Sequence, residues 1–183
     1  GHLAGSTNVP LDGKYANWAG SVLALDRPVV LVTAPGTERE AALRLGRIGV
    51  DAVLGYLDGG IAAAGEESVL VQTTERIRPA ELERRLFAVQ PPNVLDVRTS
   101  EEWAGGHIEG AWHVPLAHLE QRCAEVPVDE PLVVVCRSGY RSSIAASMLR
   151  RLRPGLPAVI DLAGGMDAWN AAGKASVVPG AAR

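Results

Sequence analysis

Apolar residues along this chain come in short runs that alternate with stretches of helical spacing. Val29 to Val32, Ala52 to Leu57, Asn93 to Arg98, Val133 to Val135 and Ala158 to Leu162 are runs of strand length, rich in Val, Ile and Leu. The spacing between them is helical. Leu43, Leu45 and Ile48 follow the first run, with Thr37 and Glu40 placed as a capping box, and Leu82 and Leu86 follow Pro79, which opens a helix. Thr99 or Ser100 caps the acidic turn Glu101-Glu102-Trp103. Leu116 to Glu125 reads as one helix carrying Leu119 and Cys123 on its core face, and Ile144, Met148, Leu149 and Leu152 define another. Strands alternating with helices predict an α/β fold with a mainly parallel sheet and helices on both faces.

The pattern occurs twice. Gly1-His2-Leu3-Ala4-Gly5 through Val9-Pro10-Leu11 returns as Gly106-His107-Ile108-Glu109-Gly110 through Val114-Pro115-Leu116. Pro28 to Gly36 parallels Pro131 to Gly139, and Leu57-Asp58-Gly59-Gly60-Ile61 parallels Leu162-Ala163-Gly164-Gly165-Met166. Three matched blocks in one order argue a duplicated domain. The expected division is residues 1–66 and 67–183, with Ala62 to Glu67 as linker and Val69 to Gln72 resuming a strand in the second domain. The first domain has no counterpart of residues 70–105, and the sequence opens without Met inside a repeat unit. It therefore reads as a piece of a longer protein.

One stretch carries chemistry. Val133-Val134-Val135 ends on Cys136, and Arg137-Ser138-Gly139-Tyr140-Arg141 follows before the helix. A thiol at the carboxyl end of a parallel strand sits where open α/β sheets bind ligands. Loop amides, a helix start and two arginines all lower a cysteine pKa from about 8.5. Gly139 can take the positive φ that curls a loop around the sulfur. The alternative is a buried structural cysteine, common for this residue type. The first repeat has Thr33 at the cysteine position and no loop arginine, so it reads as catalytically silent.

Composition narrows the classes. A net charge of −3 gives no nucleic-acid footprint, and no apolar run approaches the roughly 18 residues of a membrane span. The two cysteines form no disulfide framework, which fits a reducing, cytoplasmic setting. Four scattered histidines offer no metal site.

Leu95-Asp96-Val97-Arg98, Glu102-Trp103, Gly106-His107-Ile108, Gly110-Ala111, Val114-Pro115, the Cys136–Arg141 loop and Gly164-Gly165 with Trp169 together resemble the rhodanese family across residues 70–175. That resemblance implies two rhodanese-like domains, the first incomplete and silent. It implies a sulfurtransferase in which Cys136 takes a sulfane sulfur from thiosulfate or a small persulfide and passes it to a thiol or other nucleophile. The tandem order, silent copy first, is similar to the carboxyl-terminal half of metallo-β-lactamase–rhodanese fusions, some linked to persulfide oxidation. The alternative function is therefore a persulfide-delivering or non-catalytic module of such an enzyme. Any metal would then belong to a preceding domain, and no cofactor is expected in this stretch.

Loop length separates two chemistries. Cys136 to Arg141 is Cys-x4-Arg, one residue shorter than the related phosphatase loop. A shorter ring of amides suits one sulfur atom rather than three phosphate oxygens. Cys136 is the expected nucleophile, with Arg137, Ser138, Gly139, Tyr140 and Arg141 around the persulfide. Arg137 is expected at the entrance. Arg141 either contacts substrate or braces the loop against Asp96 or Glu102, and Asp96 with Arg98 is either supporting machinery or a plain ion pair. Trp103 reads as a half-buried aromatic. His107, whose repeat partner is His2, reads as a structural hydrogen-bonding residue, and Cys123 as core.

Overall fold

The computed structural model describes residues 1–65 and 69–178. Glu66 and Glu67, and with them the expected domain boundary, lie outside the described residues. The chain forms two compact units, Gly1–Thr73 and Thr74–Arg183.

The first unit contains β1 (His2–Leu3), α1 (Tyr15–Val22), β2 (Val29–Leu31), α2 (Glu38–Gly46), β3 (Val53–Tyr56), a 3-10 turn at Gly60–Ala64 and β4 (Val71–Gln72). Its strands form two separate pairs among the described residues, β2 with β3 parallel and β1 with β4 antiparallel. The expectation of a mainly parallel sheet with helices on both faces is not met here. Tyr15, Ala19, Leu31, Ala41, Leu45 and Val50 make a small core. Three details depart from the sequence reading. The run Val29 to Val32 is only half-buried, with Val30 63% exposed, and among the described residues β2 pairs with β3 alone. Thr37 forms no capping box; its hydroxyl donates back to the Ala34 carbonyl at 2.7 Å. Val71 and Gln72 pair with β1 and belong to this unit, not to the second.

The second unit contains β5 (Glu75–Ile77), α3 (Pro79–Leu86), β6 (Asn93–Asp96), α4 (Ser100–Ala104), β7 (Trp112–His113), α5 (Leu119–Arg122), β8 (Leu132–Val135), α6 (Tyr140–Leu152), β9 (Val159–Leu162) and α7 (Gly165–Ala171). All five strands are parallel, in the order β5-β9-β8-β6-β7. Strands β8 and β9 are buried at every position, as parallel strands covered on both faces require. Leu82, Met166 and Trp169 from α3 and α7 pack on Val94, Val133, Val135, Ile160 and Leu162. Residues of the other parity, among them Leu132, Val134 and Asp161, point to the opposite face, where α6 packs on β8 and β9. The expected helix over residues 116–125 is broken into 3-10 turns on either side of α5, and Cys123 is half-buried rather than core.

The topology brings the carboxyl ends of β6, β8 and β9 side by side. The Asp96–Arg98, Cys136 and Gly164–Gly165 segments all leave the sheet at that end.

Candidate active site

Cys136 follows β8 directly, and the loop to Gly139 turns into the first residue of a 13-residue helix, α6. Gly139 has φ +99°, a conformation that only glycine adopts readily, and its N–H donates to Cys136 Sγ at 3.1 Å. The sulfur therefore meets an amide hydrogen at the positive end of a helix, although Cys136 is only 1% exposed. The outer side of the loop is pinned by α7. Met166 N–H donates to the Cys136 carbonyl at 2.8 Å, and Asp167 N–H to the Arg137 carbonyl at 2.9 Å.

The loop arginines have different settings. Arg137 is exposed and stands 3.5 Å from the Asp167 carboxylate, at a cleft of ≈ 310 Å³ that Arg98, Glu102, Gly106 and Met166 also line. Arg141 is turned inward and donates twice to Glu102, at 2.6 and 2.7 Å. Glu102 also closes a capping box with Thr99, so α4 holds the loop arginine with the carboxylate that caps its own start. Ser138 is exposed and Tyr140 half-buried.

Asp96 and Arg98 form a buried bidentate pair, with contacts of 2.6 to 3.0 Å, and Arg98 also donates to the Gly106 carbonyl at 2.7 Å. The pair ties the end of β6 to the loop after α4. Trp103 stacks with both His107 and His113, with ring centroids 3.5 and 4.7 Å away. His107 Nδ1 is 3.2 Å from the Trp103 carbonyl, and its backbone exchanges two hydrogen bonds with Val177. These contacts give His107 a structural place.

Three residues at the site carried no expectation. Ser142 Oγ lies 3.4 Å from Cys136 Sγ and 2.5 Å from Asp161 Oδ1, and Arg76 Nε donates to Asp161 Oδ2 at 2.9 Å. Burial pushes the Asp161 carboxyl above its ordinary range, against the pull of Ser142 and Arg76. The signal was present in the sequence: a carboxylate inside the apolar run Val159-Ile160-Asp161-Leu162 needs a buried partner.

The hydrogen bonds from Arg141 hold Glu102 down at about 2, from an ordinary 4.5. A depressed carboxyl contributes stability above its unfolded pKa and loses it as pH falls through the folded one. The Arg141–Glu102 contribution is thus complete above about pH 4.5 and gone near pH 2. Thermal melts of wild type and Glu102→Gln are expected to differ by a constant gap above that window and to converge through it. A gap that does not change with pH would count against this.

Residues 78–172 match the rhodanese-like domain family. The chain belongs to that family. Within it, the chain is 36% identical over 98 residues to a sulfurtransferase of Allochromatium vinosum, covering 54% of this chain and 90% of that one. It is 32% identical over 110 residues to the thiosulfate sulfurtransferase GlpE of Pseudomonas aeruginosa, covering 60% and 96%. Among solved structures, a rhodanese-related protein from Thermoplasma volcanium superposes with a TM-score of 0.51 at 30% identity, covering 57% of this chain and 98% of that one. Two Bacillus subtilis relatives are longer than the match, which spans 40% and 64% of their lengths. The rhodanese-like match falls within the second compact unit. Among its described residues, and those of the first unit, no helix is long and apolar enough to cross a membrane.

Proposed function

We propose that the second unit is a sulfurtransferase working through a Cys136 persulfide. The observation that carries this reading is the Cys136 sulfur at a strand end, 3.1 Å from an inward-turned amide at a helix start, inside a Cys-x4-Arg loop. The Cys136 thiolate attacks the outer sulfur of thiosulfate or of a small persulfide. The donor's S–S bond breaks, and sulfite or a thiolate leaves with the electron pair. Cys136 now carries a persulfide anion in the place the loop amide serves. An acceptor thiolate or other nucleophile attacks the terminal sulfur, the Cys136 S–S bond breaks, and the thiolate returns. The cycle needs no outside oxidant or reductant, and no metal or organic cofactor takes part. Arg137, exposed at the cleft, draws in anionic donors. Arg141, bound to Glu102, holds the loop in shape, and Asp96 with Arg98 fixes the neighbouring strand end. Thiol chemistry of this kind suits the reducing cytoplasm.

Intact mass tests the cycle. Protein treated with thiosulfate is expected to gain one sulfur atom on Cys136 and to lose it on adding cyanide; a mass that never changes would refute it.

The first unit reads as a second, silent copy of the same domain. Support comes from matched geometry. Gly59 and Gly60 have φ +77° and +61°, and Gly164 and Gly165 have +75° and +57°. A Cβ on Gly60 would lie 2.3 Å from the Thr33 carbonyl, and one on Gly165 would lie 2.3 Å from the Cys136 carbonyl. His2 pairs antiparallel with Gln72 as His107 does with Val177. With Thr33 in place of the thiol, this copy has a scaffolding role. The order of silent and active copies keeps open a fusion to a metallo-β-lactamase-like domain, to which Cys136 would deliver its sulfur.

A further inference from the structure

Behind the sulfur runs a hydrogen-bonded chain that the transfer cycle above leaves unused: Cys136, Ser142, Asp161, Arg76. Its first three members are at most 2% exposed, and the Arg76 side chain, 61% exposed, forms its outer end. Cys136 follows β8, and three further elements supply the rest. Ser142 is in the first turn of α6, Asp161 is in β9 on the sheet face that α6 covers, and Arg76 is in β5 beside β9. Arg76 also reaches the loop, its Nη2 lying 3.7 Å from where a Cβ on Gly139 would stand.

With Asp161 ionised beside Arg76, the 2.5 Å contact between Ser142 Oγ and Asp161 Oδ1 has one direction. A carboxylate can only accept, so the Ser142 hydroxyl donates to it, and the Ser142 lone pairs are left facing Cys136. That arrangement suits a thiol, whose S–H can donate to Ser142. It opposes a thiolate, which needs a donor there. We propose that Asp161, acting through Ser142, is a positioning residue that sets which way the hydrogen bond at Cys136 points and takes up a proton when the thiolate forms; this rests on the persulfide cycle proposed above.

The step balances. The Cys136 proton passes to Ser142 Oγ as the Ser142 proton passes to Asp161 Oδ1. Only S–H and O–H bonds break and form, and one negative charge moves from carboxylate to sulfur. The sulfur then accepts from Ser142 and from the Gly139 N–H, while neutral Asp161 donates to Ser142. Burial disfavours the Asp161 carboxylate and so favours the neutral Asp161 that the exchange leaves behind. Among the described residues, the charged groups facing this chain are Arg76 from β5 and Arg141 from α6. Arg141 feels both Cys136 and Asp96 of β6 and is held by Glu102 of α4. Arg137 and Asp167 pair at the outer rim.

The test is the pH dependence of iodoacetamide alkylation at Cys136, read by peptide mass so that Cys123 does not contribute. Asp161→Asn is nearly isosteric. Its amide can donate to Ser142 while its oxygen still accepts from Arg76, which frees the Ser142 hydroxyl to face the sulfur. The alkylation midpoint is expected to fall by about one pH unit or more. In a Ser142→Ala background the same substitution is expected to move it less than half as far, since only through-space charge remains. Equal shifts in both backgrounds, or no shift with Asp161→Asn, would overturn the proposal. If Asp161→Asn does not fold, Ser142→Ala alone decides. A thiolate facing a fixed carboxylate without the hydroxyl should have a raised midpoint, and an unchanged one would overturn the proposal. Alkylation reads ionisation and not sulfur transfer, so failure of this idea and failure of the persulfide cycle are separate results.

Discussion

Cys136→Ala is expected to reduce thiosulfate-to-cyanide sulfur transfer to the uncatalysed background, a loss of about a thousandfold or more, equivalent to about 4 kcal/mol of transition-state stabilisation. The substitution removes the atom proposed to bond to the travelling sulfur and leaves the rest of the site standing. Arg137 would still draw in the anion, and Gly139 would still present its N–H. What is lost is the covalent intermediate, so the deficit should fall on kcat and not on donor binding. Cys136→Ser makes the same point more sharply. It keeps a hydrogen-bonding group next to Gly139 and Ser142, but a hydroxyl ionises far too weakly to act without a strong base, so it should be about as inactive. Fold is not expected to suffer: the Cys136 backbone carbonyl, which accepts from Met166, is unchanged by either substitution. Equal rates in wild type and Cys136→Ala would remove the enzyme reading and leave that of a docking module. Activity retained in Cys136→Ala but lost on substituting Cys123 would move the chemistry to the wrong thiol and would contradict the loop geometry as well.

The loop was legible because its signals are local. A β-branched run, a thiol, a glycine and a helical repeat fall within about twenty residues, and each part restricts the backbone independently. Asp96 and Arg98 were legible as a pair for a similar reason, since two residues apart at a strand end they can meet without help from elsewhere. The split role of Arg141 was not decidable from sequence. Which carboxylate it meets depends on where α4 lies relative to α6, and the structure gives it Glu102, 39 residues away. The Ser142–Asp161–Arg76 chain is less local still. Arg76 and Asp161 are 85 residues apart and meet because β5 and β9 are neighbours in a parallel sheet. Strand order is the part of an α/β fold that periodicity encodes least. In the first unit the error ran the other way. The run Val29 to Val32 reads as a buried strand because its composition matches that of β8, yet burial depends on neighbours. β8 lies between β6 and β9, whereas among the described residues β2 pairs with β3 alone.

Gly165→Ala is expected to destabilise the second unit by about 3–5 kcal/mol, by adding a steric clash to backbone strain. At φ +57° any side chain carries the cost of the left-handed region, about 1 kcal/mol or somewhat more. The clash is the larger part. The new Cβ would stand 2.3 Å from the Cys136 carbonyl oxygen and 2.7 Å from the Arg137 carbonyl carbon and oxygen. These are backbone atoms, so no rotamer change relieves the contact. Either the start of α7 moves out or the Cys136–Arg141 loop moves in, and both routes break the hydrogen bonds from Met166 and Asp167 that pin the loop. Transfer activity should therefore fall even below the melting temperature, by a displacement of the Gly139 amide from the sulfur. Gly110→Ala separates the two contributions, because Gly110 has φ +74° with nothing within 4 Å of its Cβ position; it should cost about 1 kcal/mol and leave activity alone. Gly60→Ala makes the same clash against the Thr33 carbonyl in the first unit. Its expected result is a melt that loses the first unit early while Cys136 still transfers sulfur. A Gly165→Ala protein with wild-type melting and wild-type turnover would mean that the loop is not held against α7 as described, and the sulfur's amide partner would lose its structural support.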